Sequence, residues 1–265
     1  MAESMRITSV SNPVIKELKS LHEKKGRRNL GAFLLEGLRL VDDAVSSGAA
    51  IRYFVVSDSF VEKSLEVVNG KPGIRVITLP DDLFSRVSET QSPQGIMAVV
   101  DIPDYDVETI LAGLNRIMVL ENLQDPGNLG TIIRSADACG FDGVLLSKDS
   151  VDPHNPKVVR STMGSLFRIP ILIPEDLYAA LKRLQERGIR VKAAHPREAL
   201  PCWEADLTGN LALVIGNEGN GLSEELLKIA DDRIMIPMEG GAESLNASSA
   251  ASILLYESMR QKSRK

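Results

Sequence analysis

Apolar positions along the chain fall into short runs of strand length, separated by stretches in which they recur at helical spacing. In the first hundred residues the apolar runs predict strands at 33–36, 51–56, 75–79 and 96–100. The run at 51–56 is rich in β-branched and aromatic residues, the composition of a pleated, half-buried surface. Helices are predicted between these runs, at 38–45, 60–68 and 81–87. An earlier helix should start at Asn12-Pro13, with proline at the first helical position. It should run to about Lys25 and break at Gly26 within KKGRR. This alternation predicts a small α/β domain.

The polar hexapeptide DIPDYD, 101–106, contains Pro103 and reads as a linker. The expected domains are therefore 1–103 and 104–265. In the second, strands are predicted at 116–120, 144–146, 169–173, 190–193, 211–215 and 233–236. Helices are expected at 129–139, 157–164, 175–186 and 223–230, and from Asn246 onward. A nearly continuous apolar strand such as LALVIG implies burial on both faces, hence a mostly parallel sheet.

Composition narrows the function classes. With 265 residues, 43% hydrophobic and 25% charged, the chain has the make-up of a soluble globular protein. No apolar run approaches the ~20 residues that span a bilayer, and MAESMRITSV lacks the apolar stretch of a signal peptide. Cys139 and Cys202 form no CxxC, and His22, His154 and His195 are scattered. Neither a disulfide framework nor a metal site is expected, and the compartment expected is the cytoplasm. The net charge of −5 argues against general coating of nucleic acid, but residues 1–30 carry seven basic groups against three acidic ones. Lys24, Lys25, Arg27 and Arg28 could track phosphates, or could form a solvated helix face.

Ligands of an open parallel sheet collect at the carboxyl ends of its strands, and three loops there bear on chemistry. In ENLQDPGNLGTIIRSADACG, 121–140, Asn128 can cap the following helix and Arg134 can pair with Asp137 or point into a shared pocket. In LVIGNEGNGLSEEL, 213–226, the glycines follow G-x-x-G-x-G, not the dinucleotide order G-x-G-x-x-G, and Glu218 would repel a pyrophosphate. In IMIPMEGGAESLNASSAASILLYE, 234–257, a short strand stops at Pro237. The paired Gly240 and Gly241 allow a tight turn or close ligand approach. Ser244 and Asn246 open a helix whose small residues Ala247, Ser248, Ala250 and Ala251 let it pack closely. Strand, glycine loop, cap and small-faced helix describe a ligand cradle.

Taken together, N-x5-R at 128–134, G-x-E-x-x-G at 216–221 and IPM…ESLN at 236–246 resemble, in order and spacing, the three motifs of the SpoU (TrmH-type) RNA 2′-O-ribose methyltransferases of the SPOUT superfamily. The first domain is also similar to that family's substrate-binding domain, through SNPVIKELKSLHEKKGRR, FLLEGLRLV and TQSPQGI. The resemblance implies a trefoil knot in the second domain, S-adenosylmethionine as cofactor and a homodimer whose site is completed across the interface. By position, Gly216, Ile236 and Leu245 match cofactor contacts. Asn128, Arg134, Glu218, Ser244 and Asn246 match the catalytic set.

The reaction implied is attack of a ribose 2′-oxygen on the methyl carbon of a sulfonium. The family account gives the proton to the arginine, here Arg134, but an unperturbed guanidinium stays charged above pH 12. Binding a phosphate and the developing oxyanion is the role that suits it physically. Asn128, Ser244 and Asn246 would orient the ribose, while Glu218 would hold the loop and Arg134. Large-subunit ribosomal RNA is the expected substrate. Transfer RNA, and a non-catalytic RNA-binding module of the same fold, are the alternatives.

Overall fold

The computed structural model describes residues 4–69, 71 and 73–263. They form two compact units: residues up to Asp104 together with His154–Phe167, and Tyr105–Pro153 together with Arg168 onward.

The first unit opens with β1 (Ser4–Arg6), α1 (Pro13–Ser20), α2 (Lys24–Leu30), β2 (Ala32–Glu36) and α3 (Leu38–Ser46). It continues with β3 (Ile51–Ser57), α4 (Val61–Asn69), β4 (Arg75–Leu79), α5 (Asp81–Val87) and β5 (Ile96–Asp101). Its sheet runs β1-β4-β3-β5-β2, parallel except for β5, which is antiparallel to both neighbours. Ile15, Leu18, Leu34, Tyr53, Val55, Ile77, Phe84 and Val99 fill one core under α1 and α5.

As the sequence predicts, Asn12 caps α1, its Oδ1 accepting from Val14 N at 2.9 Å with Pro13 next. The single helix expected to reach Lys25 is instead two. A Cβ on Gly26 would lie 1.9 Å from the Ser20 carbonyl oxygen. Gly26 therefore sits inside α2 because two short helices meet there backbone to backbone, not because it breaks a helix.

Arg27 is corrected as well. It is only 2% exposed, and its Nη1 donates to the carbonyls of Leu21 and His22, both at 2.8 Å. These are carbonyls that the end of a helix leaves open. A guanidinium so placed is withdrawn from solvent and cannot track phosphates, while Lys24, Lys25 and Arg28 stay exposed.

The second unit holds α6 (Val107–Gly113), β6 (Arg116–Leu120), α7 (Pro126–Ala138) and β7 (Gly143–Leu146). After α8 (Pro156–Thr162) come β8 (Ile171–Leu172), α9 (Leu177–Glu186), β9 (Arg190–Ala194) and β10 (Leu200–Pro201). The chain ends with β11 (Leu211–Ile215), α10 (Glu224–Ile229), β12 (Asp232–Met235) and α11 (Ala247–Lys262). The strands form one seven-stranded sheet in the order β10-β12-β9-β11-β6-β7-β8, parallel throughout. Ile117, Val119, Leu145, Ala212 and Val214 face a core shared with α9 and α10. Successive strand residues point to opposite faces, so Met118, Leu120, Leu213 and Ile215, also buried, turn to the other face, where α7 and α11 pack.

Residues 154–167, expected in the second domain, group with the first unit. Val158 and Val159 of α8 are buried, the His154 ring lies 4.8 Å from that of Phe33, and Arg160 approaches Glu89 at 4.0 Å. The expected strand at 169–173 shrinks to the two residues of β8.

Candidate active site

A cleft of about 340 Å³ opens at the carboxyl ends of β9, β11 and β12. Its walls are the turn Gly216–Leu222, the segment Met235–Met238 with Ser244 and Leu245, the His195-Pro196 pair, and the start of α11. Small-molecule sites of roughly 300–1,000 Å³ with mostly apolar walls and a few polar groups are typical, and Ile215, Ile234, Ile236, Met238 and Leu254 supply the apolar walls.

The turn is held by its own residues. Asn217 and Gly221 exchange backbone hydrogen bonds at 3.0 and 2.9 Å, and Asn217 Oδ1 accepts from the amides of Gly219 and Asn220. A Cβ on Gly216 would lie 2.3 Å from the Gly221 carbonyl carbon, so no other residue fits. Gly240 and Gly241 have no left-handed backbone, and the space around them is open.

Two elements bring the polar residues together. Asp125 caps α7, accepting from Asn128 N at 2.8 Å, with Pro126 at the first position. Asn128, expected as the cap, is therefore free to turn its side chain inward, where it is buried. Asn246 caps α11 as predicted, its Oδ1 accepting from Ser248 N and Ser249 N. Its Nδ2 donates to Asn128 Oδ1 at 3.0 Å, and Asn128 Nδ2 donates to Glu218 Oε1 at 3.0 Å. One chain of amide and carboxylate groups thus joins all three loops.

Glu218 also accepts from Gln124 N at 3.2 Å and Asp125 N at 3.1 Å. Burial works to push its carboxyl up, but hydrogen bonds from Asn128 and from nearby backbone amides outweigh it, and the group lies below its ordinary value. Small side chains let α11 approach α7: Ala251 is fully buried, and the Ser135 and Ser252 hydroxyls meet at 2.9 Å.

Of the residues singled out in the sequence, Gly216, Glu218, Ile236, Ser244 and Leu245 line the cleft. Asn128 and Asn246 stand behind Glu218. Arg134 does not line the cleft. It is exposed on α7 and has no partner among the described residues. The pairing with Asp137 is not made, because Asp137 accepts from Arg168 Nε at 2.7 Å, nor does Glu218 reach Arg134. His195 was missed as a lining residue; only its position just past the end of β9 could have signalled it.

A model of the SpoU rRNA methylase family matches residues 115–256, and one of the MRM3-like substrate binding domain matches residues 12–98. The chain belongs to the SpoU rRNA methylase family. This SpoU methylase is 38% identical to the 23S rRNA (guanosine(2553)-2′-O)-methyltransferase RlmP of Bacillus subtilis, over 95% of its own length and 98% of the relative's. It is 32% identical to the 23S rRNA (uridine(2479)-2′-O)-methyltransferase of Streptomyces viridochromogenes, covering 91% of this chain and 87% of that one. Its structure matches that of the AdoMet-bound rRNA methyltransferase of Sinorhizobium meliloti with a TM-score of 0.86 and 32% identity, covering 97% of this chain and 98% of that one. Among the described residues, no helix of this SpoU methylase is long and apolar enough to cross a membrane, and no group of three or more His, Cys, Asp or Glu could hold a metal ion.

Proposed function

We propose that this SpoU methylase transfers a methyl group from S-adenosylmethionine to a ribose 2′-oxygen of large-subunit (23S) ribosomal RNA in the cytoplasm. The observation that carries the reading is the Glu218–Asn128–Asn246 chain, which draws three separated loops to one cleft. The residues fit the cofactor. The cleft has the volume and apolar walls for a nucleoside-sized ligand, and its glycine turn admits no side chain at Gly216. Gly216, Ile236 and Leu245 would hold it largely through backbone groups. Bound there, S-adenosylmethionine supplies a methyl group on a positively charged sulfur, a charge that is lost on transfer.

This chain's residues then position and polarise. Asn246 and Ser244, at the mouth of α11, orient the sugar, and Asn128 fixes Asn246. Glu218 fixes Asn128 and the 124–125 backbone. Arg134 receives the phosphate beside the target ribose and stabilises the 2′-oxygen as its proton passes to water or a phosphate oxygen. The oxygen–methyl bond then forms as the methyl–sulfur bond breaks, leaving the neutral thioether. Correct placement of oxygen against carbon supplies most of the acceleration.

Because Arg134 stands outside the cleft of its own protomer, the active form is a homodimer in which the two copies complete each site. Exposed Ile253 and Tyr256 on α11 support that association. The second unit carries the trefoil knot of the SPOUT fold, a reading supported by the family membership. Lys24, Lys25 and Arg28 bind RNA phosphates.

Incubation with methyl-labelled S-adenosylmethionine and either purified 23S ribosomal RNA or bulk transfer RNA tests the reading. Label is expected in the ribosomal RNA. Transfer only to transfer RNA would overturn the substrate, and transfer to neither the activity.

A further inference from the structure

The cleft-lining turn Gly216–Leu222 is fastened to the 121–128 segment at three points. At its start, Asn217 Nδ2 donates to the Asn122 carbonyl at 2.8 Å, and in its middle Glu218 accepts from Asn128 and the 124–125 amides. At its end, Ser223 N donates to Glu121 Oε2 at 2.8 Å and Ser223 Oγ donates to Glu121 Oε1 at 2.7 Å. The same Oε1 accepts from the Tyr178 hydroxyl at 2.8 Å, while Ser223 Oγ accepts from Leu226 N at 3.1 Å and so caps α10. Glu121 is 2% exposed at the carboxyl end of β6, whereas Glu218 and most of the turn are open to solvent.

We propose that Glu121 is a positioning residue for the methyl donor: acting through Ser223, its carboxylate sets the shape of the turn that forms one wall of the cleft. The inference rests on the proposed function of the cleft. Glu121 itself does not line the cleft, so it can act only through what it holds. It binds the turn to a strand (β6), a helix (α9, through Tyr178) and the first turn of another helix (α10). If the carboxylate is removed, the partly buried Ser223 N–H and the Ser223 and Tyr178 hydroxyls lose their shared acceptor and must find others or move, which is costly for groups only partly open to water. The Glu218 carboxylate is exposed and can exchange its bonds to the 124–125 amides for water, whereas the Glu121 carboxylate, 2% exposed, has no such exchange open to it.

The test compares wild type, Glu121→Ala, Glu121→Gln and Tyr178→Phe as full-length proteins. It measures S-adenosylmethionine binding by calorimetry and, separately, cofactor-free binding of a ribosomal RNA fragment. Glu121→Ala is expected to weaken cofactor binding about tenfold or more with RNA affinity unchanged. Glu121→Gln should restore it to within roughly threefold, because the amide oxygen can accept from Ser223 N–H while the amide nitrogen donates to the two hydroxyl oxygens. Tyr178→Phe removes one of the three hydrogen bonds and should weaken cofactor binding roughly threefold. It also carries the test should Glu121→Ala fail to fold.

Unchanged cofactor binding in both Glu121→Ala and Tyr178→Phe would overturn the proposal. So would equal losses for cofactor and RNA, or failure of glutamine to rescue. Absence of cofactor binding by the wild type would instead overturn the function proposed for the cleft.

Discussion

Arg134 stands on the exposed face of α7 without a partner among the described residues, whereas the carboxylate that the motifs suggest should hold it, Glu218, is fully engaged with Asn128 and the 124–125 backbone. The two residues should therefore fail in different ways. Arg134→Ala should lower turnover by about 10²–10³, the usual effect of losing a donor to developing charge. It should leave S-adenosylmethionine affinity within about twofold by calorimetry, since its proposed contacts are to the RNA phosphate and the 2′-oxygen and not to the cofactor. Glu218 answers to pH. Its folded value is depressed below the ordinary 4.5, so its contribution is complete above that ordinary value and is lost as pH falls through the lower folded one. Stability, read as the melting temperature, should accordingly keep the Glu218 contribution down to the ordinary 4.5 and lose it only as pH falls below that value. Glu218→Gln should remove that acid limb; an unchanged limb would trace it to another group.

At the scale of elements, backbone meets backbone where Gly26 of α2 lies against Ser20 and where Gly216 lies against Gly221. Gly26→Ala should destabilise the first unit by about 1–3 kcal/mol, read as a lowered melting temperature, because neither helix backbone can yield cheaply. Local pattern made most helices and central strands legible: the apolar period, Asn12-Pro13 and Asn246 all act as read. It did not reveal what a distant segment decides. Gly26 looks like a breaker until the end of α1 is packed on it. Asp125 and Asn128 are both good caps, and only the interior partner Glu218 shows why Asn128 is not used as one. The strands β1 and β10, of three and two residues, are too short to carry a period. The convergence of the three loops was legible only through the resemblance of their motifs, since periodicity says nothing of which strand ends are neighbours. Glu121 gave no signal, because a glutamate at a strand end reads as solvated until Tyr178 and Ser223 enclose it.

For the whole molecule, the proposed function gives RNA capture to the first unit, where Lys24, Lys25 and Arg28 are exposed, and chemistry to the second. Joint substitution of Lys24, Lys25 and Arg28 by alanine should weaken RNA binding and flatten its dependence on salt, by about 0.7 in logarithmic slope for each phosphate no longer neutralised on single-stranded RNA. Arg27→Ala should instead lower the melting temperature with the salt slope unchanged, as befits a buried guanidinium that caps carbonyls. An equal loss of slope in both variants would return Arg27 to the RNA surface. The claim on which the rest depends is that the acceptor atom is a ribose oxygen. Alkali cleaves RNA only where the 2′-hydroxyl is free, so mapping the label after alkaline hydrolysis of methylated 23S ribosomal RNA tests it directly. The account predicts label in an alkali-resistant dinucleotide at one position; label released in mononucleotides would mean methylation of a base and would contradict it.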